Sequence, residues 1–139
     1  MSLKTVNIKK QLVTWGPIIF TGFAKDTIDI EVPDDSWAVE TGADGMVTRV
    51  NKSVDHVKIT VTLGQASETN DKLSAIWNAD KITGAGIFPF AFRDGSGRSV
   101  TLAPQAFILK PPNLTNGNSA KDRTWVFMTG DASIFHGGN

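Results

Sequence analysis

The fold is decided by the stretch from Trp37 to Trp77, which reads WAVETGADGMVTRVNKSVDHVKITVTLGQASETNDKLSAIW. Its first part predicts two strands joined by a turn from Gly42 to Gly45, because Asp-Gly supplies the positive φ that tight hairpins need. Its middle part alternates apolar and polar residues from His56 to Leu63, which is typical of a strand with one buried face. The predicted inward side chains are Val57, Ile59, Val61 and Leu63.

The last part of this stretch predicts the one helix of the chain, from Ser67 to Asp80. Either Ser67 or Thr69 can cap its first turn. Apolar residues spaced at i, i+3 and i+4 lie on one helical face, and here they are Leu73, Ile76 and Trp77. We expect this face to pack across a sheet.

Strands are predicted on both sides of this stretch. Upstream, the segment from Thr27 to Val32 alternates, so that Asp29 and Glu31 face away from Ile28 and Ile30. Downstream, the predicted strands are Ile87 to Arg93, Ser99 to Lys110 and Arg123 to Thr129, with a short final strand from Ile134. The chain is therefore expected to be a mainly β domain with one helix.

Two of the downstream strands have unusual features. Pro89 and Pro104 predict sheet edges or bulges, because proline cannot donate a hydrogen bond to a strand ladder. The strand from Arg123 to Thr129 has apolar residues on both faces, which predicts a strand covered on both sides.

Composition narrows the class of protein. The 139 residues fit one domain. Cysteine is absent, which excludes disulfides and thiolate metal sites. The 14 basic and 14 acidic residues balance, whereas a protein that grips nucleic acid is expected to be basic. The N-terminus is polar, so we expect no secretory signal. The sequence has no apolar run long enough to span a membrane, so we expect no membrane insertion.

Residues that could carry chemistry do not form a recognisable constellation. The two histidines, His56 and His136, have no metal-ligand spacing around them. Asp34 and Asp35 follow a proline and are typical of a turn. We therefore expect no catalytic, cofactor-binding or metal site, and no enzymatic activity.

Aromatic residues are numerous, with four tryptophans and eight phenylalanines but no tyrosine. Most are expected to fill the core. Trp15 and Phe135 are candidate interface anchors, because aromatic residues are enriched at interfaces. Trp37 could serve either role.

The order and spacing of these features resemble the tail tube proteins of contractile-tailed (myovirus-type) bacteriophages, which are related to the tube proteins of contractile bacteriocins and type VI secretion systems. The resemblance covers nearly the whole chain from about Trp15. It rests on the turn at Gly42 to Gly45 with Val47 to Arg49, on Val57 to Leu63, Ser67 to Trp77, Gly86 to Asp94, Lys110 to Pro112 and Trp125, and on the closing Gly-Gly-Asn.

The resemblance implies an architecture and an assembly. The fold would be a two-sheet β-sandwich or barrel with one flanking α-helix, over a single domain of residues 1–139. Copies would form hexameric rings that stack into a hollow tube inside a contractile sheath, and DNA would pass through without specific binding. The implied partners are other copies, the sheath protein, the tape-measure protein and a baseplate tube initiator, in a virion tail assembled in the bacterial host cytoplasm.

The resemblance also implies where rings would meet. A projecting hairpin over residues 40–50 is the expected stacking element, and an N-terminal arm over residues 1–14 is a second one. The candidate inter-ring contacts are Glu40, Thr41, Gly42, Ala43, Asp44, Gly45, Met46, Arg49, Lys9 and Lys10. Asp29 and Glu31 are candidates for the lumen wall, because acidic side chains repel phosphates; the outer wall is their alternative place.

Two alternatives stay open at this stage. One keeps the architecture and makes the chain the inner tube of a contractile bacteriocin or secretion machine. The other is of a different class, a monomeric β-sandwich binding module. A monomer should protect its sheet edges with charge and keep apolar patches small, whereas a tube subunit should polymerise through large surfaces.

Overall fold

The structure is a computed structural model that describes residues 11–52, 55–94, 99–114 and 121–137, with the side chains of residues 24–27 excepted. The helix α1 is Thr69–Thr83. In chain order the strands are β1 (Leu12–Trp15), β2 (Ile18–Ile19), β3 (Phe23–Glu31), β4 (Trp37–Thr41), β5 (Val47–Asn51), β6 (Lys58–Leu63), β7 (Phe88–Arg93), β8 (Ser99–Lys110), β9 (Arg123–Thr129) and β10 (Ser133–His136).

The strands form one large sheet and one small one. The large sheet has eight strands in the order β2-β1-β7-β8-β9-β6-β3, and β10 pairs with the first half of β8. Every pairing within it is antiparallel. The second sheet is the hairpin of β4 and β5. The predicted fold class, mainly β with two sheets and one helix, is confirmed.

The core follows the predicted alternation of β6. Its inward residues are at most 2% exposed. Aromatic rings pack beside these β6 side chains in the core. The ring centroids of Trp15 on β1 and Phe127 on β9 are 5.2 Å apart. Trp15 Nε1 donates to the Ala106 carbonyl oxygen at 3.0 Å, which ties β1 to β8 across the core. The prediction that Trp15 anchors an interface is therefore wrong, since its side chain is fully buried.

The helix packs on the core side of the sheet. Leu73 is buried, and Ile76 and Trp77 pack partly against the core, as the spacing predicted. The predicted capping differs in detail: Glu68 is the N-cap residue and makes no side-chain cap bond. Ser67 Oγ instead accepts from the Thr69 backbone N–H at 3.3 Å and donates to the Thr21 carbonyl oxygen at 2.6 Å. This pair of bonds fixes the start of the helix to the turn before β3.

Pro89 and Pro104 lie in the same irregular segment of the main sheet, where β7 pairs with β8. The pairing of β7 with β8 shifts register between Phe88 and Phe90, so that Pro89 and Pro104 fall within a bulge, as predicted. The outcome for β9 is different. Val126 and Met128 on its second face are only half-buried, so the prediction of a strand covered on both sides is wrong for the single subunit.

The expected N-terminal arm overlaps the sheet. Leu12 to Thr14 belong to β1, and Val13 is 1% exposed. Residues 1–10, the rest of that arm, lie outside the described residues.

Candidate assembly site

The hairpin of β4 and β5 is held by a tight turn at its tip. The Gly42 N–H donates to the Met46 carbonyl oxygen at 2.8 Å, and the Gly45 N–H donates to the Gly42 carbonyl oxygen at 3.0 Å. Asp44 Oδ1 accepts from the Met46 N–H at 3.1 Å. Gly45 has φ 87°, the positive value that the Asp-Gly pair predicted. The hairpin is longer than the expected residues 40–50, because its strands run from Trp37 to Asn51.

One face of the hairpin carries solvent-exposed apolar side chains beside Thr41, Arg49 and Asn51. Cross-strand partners share a face, so Val39 lies beside Arg49, and Thr41 beside Val47. Val39 is 67% exposed and Val47 is 66% exposed. The Arg49 guanidinium carbon lies 4.1 Å from the centre of the Trp37 ring on this same face. Trp37 is 44% exposed, so it belongs to this surface and not to the core.

No described strand pairs with the hairpin other than its own two. Its base is closed by the Lys52 N–H, which donates to the Ser36 carbonyl oxygen at 2.9 Å. A two-stranded hairpin alone is at best marginally stable in water. A hairpin with an exposed apolar face therefore favours contact with a further surface.

The two lumen candidates lie together on the outward face of β3. Asp29 and Glu31 are exposed, while Ile30 between them is half-buried, as the alternation predicted. Across the ladder, Glu31 is paired with Lys58. The helix lies behind this sheet, because core-facing Trp125 of β9 donates its Nε1 to Asn70 Oδ1 of α1 at 2.9 Å. The structure thus places Asp29 and Glu31 on the side of the sheet opposite the helix.

A second exposed element is the edge strand β10. It pairs with β8 through Phe135 opposite Val100 and Ile134 opposite Thr101, and no described strand pairs with its other edge. Phe135 is 68% exposed and Leu102 beside this edge is 52% exposed. An unpaired edge with apolar side chains is a template for pairing with another chain.

The remaining candidates are placed as follows. Lys9 and Lys10 lie outside the described residues. His136 lies on β10, where its Nε2 is 3.4 Å from Thr101 Oγ1, and His56 lies before β6. Within the described residues, no group of three or more His, Asp or Glu side chains could hold a metal ion. No helix in that part of the chain is long and apolar enough to cross a membrane.

The sequence predicted the hairpin tip and placed Trp37 and Val39 on one strand face, but it did not show that these side chains are exposed. The signal was present, since Trp37, Val39 and Val47 occupy alternate positions that share one face. In a strand of the main sheet this pattern would indicate a core face. That the hairpin stands apart from the main sheet was not predictable from the pattern alone.

Comparison with known proteins gives a consistent result. A family model described as "Bacteriophage PhiTE tail tube protein" matches residues 18–137. "Structural protein ORF10" of Pseudomonas phage KPP10 is 34% identical over 122 residues, which cover 86% of this chain and 70% of that protein.

Two solved structures share the fold. One is the PVC sheath/tube terminator of an extracellular contractile injection system in its extended state, with a TM-score of 0.68 and 12% identity over 98% of this chain and 100% of that chain. The other is the anti-feeding prophage cap, with a TM-score of 0.66 and 12% identity over 96% of this chain and 93% of that chain. At this identity, both likenesses concern the fold alone.

Proposed function

Because the chain belongs to the phage tail tube family described for bacteriophage PhiTE, we propose that it polymerises into stacked hexameric rings forming the inner tube of a contractile tail. Membership of that family makes it a structural protein of the virion tail. The finer parts of the proposal are a surrounding sheath, passage of DNA without specific binding, and assembly in the host cytoplasm with a tape-measure protein and a baseplate initiator. No catalytic role is proposed.

The observation that carries this proposal is the separate hairpin. Its side chains from Val39 to Val50 are all exposed, and Met46 at the tip is 64% exposed. Monomeric soluble proteins rarely expose large contiguous apolar patches. These apolar side chains would be buried against another copy when the subunit polymerises, which explains why they are exposed in the free subunit. We therefore assign ring-to-ring contact to the hairpin, with Glu40 to Met46 at its tip.

The lumen wall is assigned to the outward face of β3, β6 and β9. This face lies opposite the helix, so a tube with its helices outside would direct Asp29 and Glu31 inward. Lys58 is the cross-strand partner of Glu31, so this face carries one cation beside its two acids. Such a wall would repel phosphates weakly and would not retain DNA.

Lateral contact within a ring is assigned to β10. Replacing Phe135 with serine should leave the subunit folded but raise the concentration needed for ring formation about tenfold, since a large exposed aromatic would no longer be buried. Sedimentation of assembled material against total protein measures this concentration. Ile82→Ser removes a side chain that is 87% exposed on the helix and serves as the matched control. Equal effects of both substitutions would contradict the assignment.

Electron microscopy of the purified protein over a concentration series tests the proposed function. Rings or hollow tubes are expected at high concentration, with six-fold symmetry in end views. A reconstruction of those tubes tests the lumen assignment, which fails if Asp29 and Glu31 lie on the outer wall. Monomers at every concentration, with or without a preformed tube end as a template, would contradict the tube proposal.

A further inference from the structure

The tip of the hairpin contains an Asp-Gly pair that is open to solvent. Asp44 and Gly45 are both exposed. Apart from the adjoining residues, no heavy atom lies within 4 Å of the position that a Cβ would take on Gly45. The peptide bond between the two residues is therefore accessible, and nothing from the rest of the fold crowds it.

The carboxyl group of Asp44 is held along its own main chain. Its Oδ1 accepts from the Met46 N–H, two residues ahead, at 3.1 Å. Short polar side chains form such local bonds to the main chain in turns. Because Gly45 lies between the two bonded residues, this bond directs the carboxyl group forward over the Gly45 nitrogen.

A carboxyl carbon beside the next backbone nitrogen is the arrangement that cyclic imides form from. We propose that Asp44 of the free subunit is a site of spontaneous isomerisation through a cyclic imide with Gly45. The Gly45 nitrogen attacks the carboxyl carbon, so that a new N–C bond forms and one carboxyl C–O bond breaks. The proton of the N–H leaves with the hydroxyl group as water. The resulting imide is a five-membered ring.

Hydrolysis of the imide completes the change. Water that adds at the former side-chain carbonyl restores Asp44. Water that adds at the main-chain carbonyl breaks the original bond to Gly45 and leaves an isoaspartyl residue, whose main chain runs through Cβ. One water is lost and one is regained, so the isomerisation needs no oxidant, metal or other reactant.

One hydrogen bond opposes the attack. The Gly45 N–H donates to the Gly42 carbonyl oxygen at 3.0 Å, and this bond must open first. The hairpin is a sheet of its own, and a two-stranded hairpin is at best marginally stable. Its tip can therefore open locally while the main sheet stays closed. Asp71 gives a contrast, because it is equally exposed but precedes Lys72 within α1.

Isomerisation changes the hairpin and leaves the core alone. The isoaspartyl form has one more main-chain methylene between residues 44 and 45, and its carboxylate is attached to Cα. The bond from the Gly42 N–H to the Met46 carbonyl oxygen and the pairing of Thr41 with Val47 both depend on the original spacing. The tip should lose this geometry, while the free energy of unfolding of the main sheet stays the same.

Peptide mapping of the aged protein tests the proposal. The full chain is incubated below the concentration at which it assembles, and tryptic peptides are analysed by electron-transfer fragmentation, which distinguishes the two isomers. The isoaspartyl fraction at residue 44 should grow with time and exceed that at Asp71 about tenfold or more, because the helix must open before Asp71 can react. Cleavage after Arg49 and Arg93 reports the second Asp-Gly pair, at Asp94, in a separate peptide.

Three substitutions assign the reaction to Asp44. Asp44→Asn should speed the change, since a neutral amide is a better electrophile than a carboxylate. Asp44→Glu should abolish it, since the imide would need a six-membered ring. Asp71→Glu is the matched control and should leave the isoaspartyl fraction at residue 44 unchanged.

Two results would overturn the proposal. One is an isoaspartyl fraction at residue 44 that stays at the level of Asp71. The other is a rate in Asp44→Asn no higher than in the unaltered protein. Thermal unfolding of the aged protein should show an unchanged midpoint, and a lowered midpoint that follows the isoaspartyl fraction would contradict the confinement of the change to the hairpin.

Discussion

Tubes should not form when the hairpin tip is removed, and the subunit should remain folded. Replacing Thr41 to Val47 by Asn-Gly keeps the pairing of Glu40 with Thr48 and supplies a two-residue turn. It removes exposed Met46 and Val47. Because the hairpin forms a sheet of its own, the main sheet loses no strand. The critical concentration for tubes should rise at least about a hundredfold, equivalent to about 2.7 kcal/mol per contact.

Electron microscopy and sedimentation measure the loss, and circular dichroism with thermal unfolding shows that the fold is retained. Val39→Thr is a milder variant for comparison. It keeps a β-branched residue and the full length of the hairpin, and it removes exposed apolar area. It should give a smaller rise in critical concentration than the shortened hairpin. Tubes of normal length from the shortened hairpin would end the stacking assignment.

Replacing Trp15 with alanine should cost the subunit most of its stability. The side chain is fully buried and contacts the rings of Phe88 and Phe127, both at 5.2 Å between centroids. Truncation of a buried tryptophan costs about 3–5 kcal/mol. Loss of its Nε1 bond to the Ala106 carbonyl oxygen also leaves that buried acceptor unsatisfied. Since small domains have about 5–15 kcal/mol in total, we expect a large shift in the urea midpoint.

Trp37→Ala is the matched control for this prediction. Trp37 is 44% exposed and lies on the hairpin against Arg49, so its loss should lower the free energy of unfolding by about 1 kcal/mol or less. The same substitution should weaken tube formation. If both tryptophan variants lost equal stability, the division into a core residue and a surface residue would be wrong.

The strands of the main sheet were predictable where the apolar residues of a local alternation are also the residues that the fold buries. Arg123–Thr129 and Ser99–Lys110 were predicted with the bounds that the structure has. The inward face of β6 was predicted residue by residue. Trp15 was misjudged because it lies in a four-residue strand, too short for an alternation to show which way its side chain points. Its burial depends on the distant strands β8 and β9, which no local pattern specifies.

The candidate site was only partly predictable. The Asp-Gly pair predicted the turn because it is a local requirement of the backbone. The separation of the hairpin from the main sheet depends on which strands pair, and this is a tertiary property. The second face of β9, with half-buried Val126 and Met128, was predicted as covered because apolar residues on both faces of a strand do not show whether a second layer of structure packs there.

The bulge between β7 and β8 protects the subunit against mispairing. Strand β8 is shared by β7, β9 and β10, so a slip of one residue along it would displace three neighbours at once. Pro89 and Pro104 have no N–H to donate, and the observed register keeps both within the irregular segment. A slipped register would move a proline into a regular ladder position and turn core side chains to solvent. The two prolines therefore disfavour any pairing of β7 with β8 other than the observed register.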